Sequence, residues 1–168
     1  MTRIEIGGVF SDRSLDGDRR WDRDLAALQG FTGGVGTRLI SRQGDRLVVL
    51  LGLGPAKGWR AEDGYRAMAT LADLDAHPDE CDPTPLVHAL SIVDPAATEL
   101  VECGLVLAFG AGERVPLSGS AGAGALTAAA TLRARRWTNA PAAELTPTAF
   151  AELGTTIAAE HGLGCSII

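Results

Sequence analysis

Five stretches of the chain show the apolar patterns of β-strands. Residues 3–10 alternate apolar and polar positions, which is the period expected of a strand. Residues 37–41 and 46–52 flank a Gln-Gly-Asp turn and predict a hairpin, whose second strand is continuously apolar, as expected of a central strand covered on both faces. Residues 86–93 form another apolar run and predict a further buried strand, and residues 165–168 predict a short last strand.

Apolar positions at helical spacing predict four helices between and after these strands. Residues 61–76 are amphipathic, and residues 125–137 are rich in alanine, the strongest helix former. Residues 94–110 begin with Asp-Pro, in which Asp caps the helix and Pro takes the first helical position. Residues 146–162 predict the last helix by the same logic, with Thr-Pro at its start and Gly at its end. Its predicted buried face consists of Phe150, Leu153 and Ile157.

The alternation of strands and helices predicts an α/β fold in which a mixed sheet is flanked by helices. Residues 11–24 are charged and predict a loop or a short helix. Residues 110–124 are rich in glycine and lack periodicity, which predicts a connection. We therefore divide the chain into an α/β domain at residues 1–110 and a second part at residues 111–168. The second part comprises the Gly-rich connection, a linker helix and a C-terminal tail of helix and strand.

Composition and charge exclude several classes of protein. The net charge is −6 with a single lysine, so no general attraction to nucleic acid or to an anionic membrane surface is expected. No apolar run approaches the roughly 20 residues of a membrane span, and the first residues lack the apolar stretch of a signal peptide. The three cysteines show no CxxC spacing, which indicates reduced thiols. We expect a cytoplasmic protein.

Several short motifs occur in a defined order along the chain. They are the Gly-Phe-Thr-Gly turn at residues 30–33, the apolar strand ending in Gly-Leu-Gly at 48–54, the helix centred on Arg66, the helix at 102–108, and the Asn-x-Pro and Leu-Thr-Pro elements at 139–147. In this order and spacing they resemble the N-terminal domain and linker of the leucyl (cytosol) aminopeptidase family. The resemblance implies a macro-domain-like arrangement of three layers, with the sheet in the middle.

The catalytic residues of that family have no counterpart in the sequence. The family's two-metal hydrolysis relies on the signature Asn-Thr-Asp-Ala-Glu-Gly-Arg, which is absent here. The acidic residues at 62–63 and 73–75 lie on or near an amphipathic helix and are interpreted as its solvated face. His88, in a predicted strand, is interpreted as a satisfied core or half-exposed histidine rather than a general base, and Cys103, on the apolar side of a helix, as a packing residue. We therefore assign no catalytic residue, no metal ligand and no cofactor.

The leading hypothesis follows from a resemblance that stops at the linker. We expect a stand-alone, non-catalytic homologue of the aminopeptidase N-terminal domain that acts by protein association, as a regulatory or scaffolding subunit. The expected partner is a second copy of the chain or a separately encoded catalytic subunit, because the apolar C-terminal segment would otherwise stay uncovered. The predicted partner-binding residues are Trp137, Phe150, Leu163, Ile167 and Ile168.

Two alternative hypotheses stay open on sequence grounds. In the first, the chain is the non-metal-binding part of a split aminopeptidase that is active only with a catalytic partner. In the second, it is a macro-like module that binds a nucleotide or ADP-ribose through the backbone amides of glycine loops. The candidate ligand-loop residues are Gly52, Gly54, Gly119 and Gly122.

Overall fold

The computed structural model describes residues 3–13, 22–76, 80–110 and 122–168 of the chain. The chain forms two compact units, Met1–Ala130 and Thr131–Ile168. In chain order the elements are β1 (Arg3–Phe10), α1 (Arg23–Leu28), β2 (Arg38–Gln43), β3 (Arg46–Gly54), α2 (Ala61–Ala69), β4 (Cys81–Asp82), α3 (Thr84–Leu90), α4 (Ala97–Phe109), α5 (Ala123–Asn139) and α6 (Pro147–Glu160).

The strands form one mixed sheet in the order β2-β3-β1-β4. β1 runs parallel to both β3 and β4, whereas β2 pairs antiparallel with β3. The hairpin of β2 and β3 turns at Gly44, whose φ of +65° is a left-handed conformation that glycine adopts at little cost. The predicted first strand and hairpin are confirmed.

Side chains of β3 point alternately into two separate cores. On one face of the sheet, Val49 and Leu51 pack with apolar residues of α2, α3 and α4. On the other face, Val48 and Leu50 pack with Phe31 and with residues of α1. Helices therefore cover both faces, and the Met1–Ala130 unit has the predicted mixed sheet within a three-layer α/β arrangement.

The helix α1 is defined by capping interactions at both ends, and the apolar pattern does not predict it. At its start, Asp22 Oδ1 accepts a hydrogen bond from Leu25 N at 2.9 Å. At its end, Gly30 has a φ of +66°, and Phe31 N donates to Ala26 O at 2.8 Å. This is the Schellman arrangement, in which a left-handed glycine lets the chain turn back onto the last helical turn.

The predicted strand at residues 86–93 is wrong. Most of these residues belong to α3, and the strand that pairs with β1 is the two-residue β4. Leu86 and Leu90 are fully buried four residues apart, a spacing that places both side chains on one helix face. A short apolar run fits a buried helix as well as a buried strand, and Pro85 in the first turn favours the helix.

Two predicted helices differ from the structure in their bounds. α2 ends at Ala69 rather than at residue 76, and the chain continues through turns in which Leu71 stays buried. α4 begins at Ala97, because Asp94 Oδ1 accepts from Ala96 N at 2.8 Å and forms a turn ahead of the helix. The predicted domain division at residue 110 follows the end of α4, whereas the compact units divide at residue 130. Residues 111–121 of the predicted connection lie outside the described part of the chain.

Within the Thr131–Ile168 unit, the predicted start and stop of α6 are confirmed. Thr146 Oγ1 accepts a hydrogen bond from Ala149 N at 3.2 Å, as an N-cap should. Gly162 has a φ of +65°, and Leu163 N donates to Ala158 O at 2.7 Å, which closes the helix in the same way as α1.

Two expectations about this unit are wrong. Phe150 was assigned to the buried face of α6 but is 55% exposed, whereas Ala158 is buried and both Leu153 and Ile157 are half-buried. Residues 165–168 form neither helix nor strand. A strand needs a neighbouring strand to satisfy its backbone groups, and these residues pair with none in the described part of the chain.

Gly52 allows the closest backbone approach in the sheet. A Cβ atom at this position would lie 2.1 Å from Gly34 O and 2.5 Å from Thr37 Oγ1. Gly52 N donates to Thr37 O at 2.8 Å, so the turn before β2 is fixed against β3 at this point. At Gly8 of β1, an added Cβ would instead meet side-chain atoms of Leu53 and Leu86, at 2.6 and 2.9 Å.

We predict that Gly52→Ala destabilises the protein more than Gly8→Ala does. Overpacking costs about 1 to 3 kcal/mol, and we expect the upper end for Gly52, where the backbone must move, and the lower end for Gly8, where side chains can rotate. Urea unfolding of both variants measures the difference in free energy of unfolding. Equal midpoints would contradict this reading of Gly52.

Candidate functional site

Two of the predicted partner-binding residues touch each other in the Thr131–Ile168 unit. Trp137, near the end of α5, and Phe150, in the first turn of α6, meet edge to face with ring centroids 6.1 Å apart. Phe150 is mostly exposed and Trp137 is half-buried. Aromatic contacts of this geometry contribute about 0.5–1.5 kcal/mol, so the contact stabilises the relative position of the two rings. Part of the apolar surface of this aromatic pair stays exposed.

The other three predicted residues lie beyond the opposite end of α6. Leu163, Ile167 and Ile168 are all exposed. Phe150 lies near the start of α6, and Leu163 follows its end, which at 1.5 Å per residue places them about 20 Å apart along the helix. The five residues thus form two apolar sites, the aromatic pair and the C-terminal tail (residues 163–168), rather than one patch.

The amides of Gly52 and Gly54 are engaged in backbone hydrogen bonds. Gly52 N donates to Thr37 O at 2.8 Å, and Gly54 N donates to Gly33 O at 2.9 Å. A phosphate bound at a glycine loop relies on amide groups that point at the ligand. At these two candidate residues the amides instead join β3 to the turn before β2.

The second candidate loop is only partly described. Gly119 lies outside the described residues. Gly122 lies directly before α5, where an added Cβ would be 2.1 Å from Glu102 Oε2 of α4, and at Gly124 it would be 1.9 Å from Glu99 O. Gly124 therefore allows α5 to begin in close contact with the backbone of α4, whereas Gly122 approaches only the end of the flexible Glu102 side chain.

Asp12 is exposed and lies just past the end of β1, near the end of the parallel strand β3. Its Oδ1 accepts from Ala56 N at 2.8 Å, and its Oδ2 accepts from Lys57 N at 3.4 Å. The hydrogen bond from Ala56 is the main reason that the pKa of Asp12 lies below its ordinary value. Open α/β sheets commonly bind ligands at this edge. Here a carboxylate of the chain itself takes amide groups that an anionic ligand would use.

A cavity of about 210 Å³ lies in the Met1–Ala130 unit between α2, α4 and the first turns of α5. Its polar lining includes Tyr65, Asp94, Cys103 and Thr127. Tyr65 and Cys103 both line this cavity, and Cys103 is almost fully buried. The sequence pattern places Tyr65 and Cys103 on helix faces but does not show that they meet.

Tyr65 is held in its neutral form by this environment. Tyr65 is 37% exposed, and its partial burial is the largest cause, followed by the neighbouring thiol of Cys103 and the negative charge of Asp94; together they raise the pKa of Tyr65 to about 12. At neutral pH the phenol is therefore a hydrogen-bond donor and acceptor in the cavity wall.

The cysteines and His88 show no arrangement typical of a nucleophile. No cysteine is part of a disulfide, and burial, with the charge of Glu80, raises the pKa of Cys81 to about 11. Cys165 is exposed near the end of the chain. His88 lies exposed on α3, so its predicted position in a strand is wrong.

Across residues 3–13, 22–76, 80–110 and 122–168, no three His, Cys, Asp or Glu side chains are grouped so that they could hold a metal ion. Within the same ranges, no helix combines the length and apolar character needed to cross a membrane.

The structure defines a three-layer α/β module, and this fold is found in solved structures. The chain is similar to the bottromycin maturation enzyme BotP in complex with Mn, with a TM-score of 0.70 and 22% sequence identity. It is also similar to a second structure of the bottromycin maturation enzyme BotP, with a TM-score of 0.67 and 21% identity. No family model and no curated protein matches the chain.

The structural similarity covers very different shares of the two proteins. It includes 99% of this chain but only 38% and 39% of the two BotP chains. This chain therefore spans well under half the length of these structural neighbours. At this level of identity the similarity establishes the fold, and the resemblance to the aminopeptidase N-terminal domain stays a prediction.

We predict that Tyr65 titrates with a pKa of about 12 rather than the ordinary 10.0. Because Tyr65 is the single tyrosine of the chain, ultraviolet absorbance of phenolate follows this group alone. Cys103→Ala should lower the pKa of Tyr65 by removing the neighbouring thiol, although partial burial still keeps this pKa above the ordinary value.

The same shift predicts the direction of alkaline destabilisation. The folded pKa lies above the unfolded one, so this contribution to the free energy of unfolding is complete below pH 10 and is lost as the pH rises toward about 12. Urea unfolding at several alkaline pH values, with Cys103→Ala as the control, measures it. An absorbance midpoint near 10 in the native protein would contradict both statements.

Proposed function

We propose that this chain is a non-catalytic α/β module of the leucyl aminopeptidase N-terminal type, which acts by associating with another protein. The partner in this proposal is a catalytic domain or subunit that carries the metal ions. The module contributes a rigid folded unit and an apolar binding surface, as a regulatory or scaffolding component. A cytoplasmic location is part of the proposal and agrees with three cysteines outside any disulfide.

The distribution of exposed apolar side chains is the observation that carries the proposal. Half of the large apolar side chains that are exposed among the described residues lie in the Thr131–Ile168 unit, which is less than a quarter of the chain. Leu163 and Ile167 are more than 60% exposed, and Phe150 more than half. Apolar surface concentrated in this way is typical of an interaction site.

The structural neighbours support a partner that supplies catalysis. The fold of this chain accounts for about two fifths of BotP, a maturation enzyme one of whose structures contains Mn. Among the described residues of this chain, no three His, Cys, Asp or Glu side chains are grouped so that they could hold a metal ion. If this chain takes part in a metal-dependent reaction of that kind, the ligands come from residues other than those described.

The hypothesis of a nucleotide-binding module receives less support. The amides of Gly52 and Gly54 donate to backbone carbonyls, and the amides of Ala56 and Lys57 donate to the carboxylate of Asp12. A phosphate would have to displace these contacts before it could bind there. At Gly52 and Gly54, the amide donors expected to form an anion site are already satisfied within the protein.

The split-aminopeptidase hypothesis predicts a different result for the same complex. In that case the partner hydrolyses an aminopeptidase substrate in the presence of Mn²⁺ only when this chain is added. Under our proposal the partner is active alone and this chain alters its rate, assembly or substrate range. Assays of the partner with and without the chain separate the two.

The experiment that tests the proposal is purification of the tagged chain from its own cells, followed by native mass determination and identification of bound proteins. We expect a stoichiometric complex with a metallopeptidase-like protein. A monomer or homodimer that retains no such partner would contradict the proposal.

We predict that variants of the two apolar sites weaken this complex in steps. The double variant Trp137→Ala/Phe150→Ala removes the aromatic pair. The double variant Ile167→Ser/Ile168→Ser removes apolar surface from the C-terminal tail. Each double variant is expected to lower the affinity for the partner by at least about tenfold. Ile92→Ser is the matched control, because Ile92 is 54% exposed but lies in the other unit. Isothermal titration with the purified partner measures the effect, and equal losses in all three variants would argue against a specific surface.

We also predict that saturating ADP-ribose leaves the melting temperature unchanged. A ligand that binds only the folded state must raise the melting temperature, and the amides of Gly52, Gly54 and Ala56 are already engaged and cannot hold its phosphates. Differential scanning fluorimetry measures the melting temperature with and without ADP-ribose. Asp12→Ala, which removes the carboxylate that binds the amides of Ala56 and Lys57, is measured beside the native chain. A rise in the native protein would favour the nucleotide-binding hypothesis.

A further inference from the structure

The side chain of Gln29 forms two hydrogen bonds to a single residue of the outer strand β2. Its Nε2 donates to Ile40 O at 2.9 Å, and its Oε1 accepts from Ile40 N at 3.1 Å. One carboxamide therefore satisfies both main-chain groups of Ile40. An antiparallel neighbouring strand makes the same donor and acceptor pair with the residue opposite it.

The two groups that Gln29 binds point away from the sheet. Thr37 O accepts from Gly52 N of β3, so the main-chain N–H and C=O groups of odd-numbered residues in this segment point toward β3. Main-chain groups alternate in direction along an antiparallel strand, and Ile40 at an even position therefore faces outward. β2 is the end strand of the sheet, so this is the edge at which another strand could add.

The position of Gln29 is fixed by the end of α1. Gln29 is the C-cap residue, and its own N–H donates to Leu25 O and Ala27 O. Gly30 in the left-handed conformation then turns the chain, and the side chain of Phe31 is buried between α1 and the sheet. The backbone of Gln29 is thus fixed by this turn, and the side chain extends from a fixed position to β2.

We propose that Gln29 closes the outer edge of β2 by mimicking a neighbouring strand, and that the edge it covers fits β2 of a second copy of this chain. Antiparallel pairing of two β2 strands about Ile40 is self-complementary, because the N–H and C=O of Ile40 in each copy would bond those of Ile40 in the other. Gln29 makes these two bonds within one chain and so keeps the edge from pairing.

Charge adds to this closure. In the two-fold pairing, Arg42 of each copy would lie opposite Arg38 of the other, and like charges directly opposite each other destabilise a strand pair. Arg42 is exposed. Arg38 makes an ion pair with Asp73, with NH2 to Oδ2 at 2.9 Å, which lessens the repulsion without removing it. The carboxamide of Gln29 and the positive charge of Arg42 therefore both disfavour pairing of β2 with a second copy.

The test compares the native chain with Arg42→Glu, Gln29→Ala and the double variant. Gln29→Ala keeps the main-chain bonds that end α1, so circular dichroism should be unchanged. Arg42→Glu alone is the matched control, because it reverses the charge while Gln29 still covers Ile40. Native mass over a range of concentrations and hydrogen exchange of single amides are measured for all four proteins.

We expect the Ile40 amide to exchange at least about tenfold faster in dilute Gln29→Ala than in the native chain, with the Leu39 amide unchanged. The double variant should self-associate more strongly than any other, and its Ile40 amide should become protected again as concentration rises. Equal exchange at Ile40 with and without Gln29 would overturn the proposal. So would a double variant whose mass equals that of the native chain, or Arg42→Glu alone associating as strongly as the double variant.

These outcomes are separate from those of the association described above. Any assembly through the aromatic pair or the C-terminal tail is present in all four proteins and cancels in the comparison. Protection of the Ile40 amide reports only on the edge of β2.

Discussion

The continuous burial of β3 is the constraint on which the rest of the structure depends. Every residue from Val48 to Gly54 is buried, and its side chains point alternately into the two cores. A strand of this kind needs cover on both faces and a neighbour on both edges, because neither its side chains nor its backbone groups reach water. The positions of β1, β2, α1 and the α2–α4 layer all meet that requirement.

Because of the same requirement, the backbone N–H groups near the end of β3 are already engaged in hydrogen bonds within the protein. Gly52 and Gly54 donate to the turn before β2, and the loop that follows donates to Asp12. The lack of a side chain at Gly52 lets two backbone segments come within hydrogen-bonding distance. Gly52 and Gly54 therefore serve to join β3 to the preceding turn, even though their spacing resembles a ligand loop.

The sequence predicts the parts of the fold that depend on local pattern. The first strand, the hairpin and the caps of α6 follow from alternation, a glycine turn and Thr-Pro, and the structure confirms them. The failures occur where distant residues decide. Residues 86–93 have the composition of a strand. In the structure, only the two residues of β4 pair with β1 on that edge, and α3 contributes Leu86 and Leu90 to the core.

The candidate sites divide in the same way. The exposed apolar character of Leu163 and Ile167 follows from the sequence and agrees with the structure. The contact of Tyr65 with Cys103 joins residues of two different helices, and no spacing along the chain signals it. For Gln29 a local signal exists, since Gln-Gly-Phe at the end of a helix fits a Schellman turn, but its target on β2 appears only in three dimensions.

The separation of the two apolar sites along α6 affects how a bound protein would be held. Phe150 near the start of α6 and Leu163 just past its end lie about 20 Å apart along the helix axis, so a protein touching both would engage two anchor points at a spacing set by α6. Once the first contact forms, the second occurs within one complex, at a high effective concentration. Two weak contacts can then act as one strong attachment through avidity, and a protein with only one matching surface would dissociate quickly.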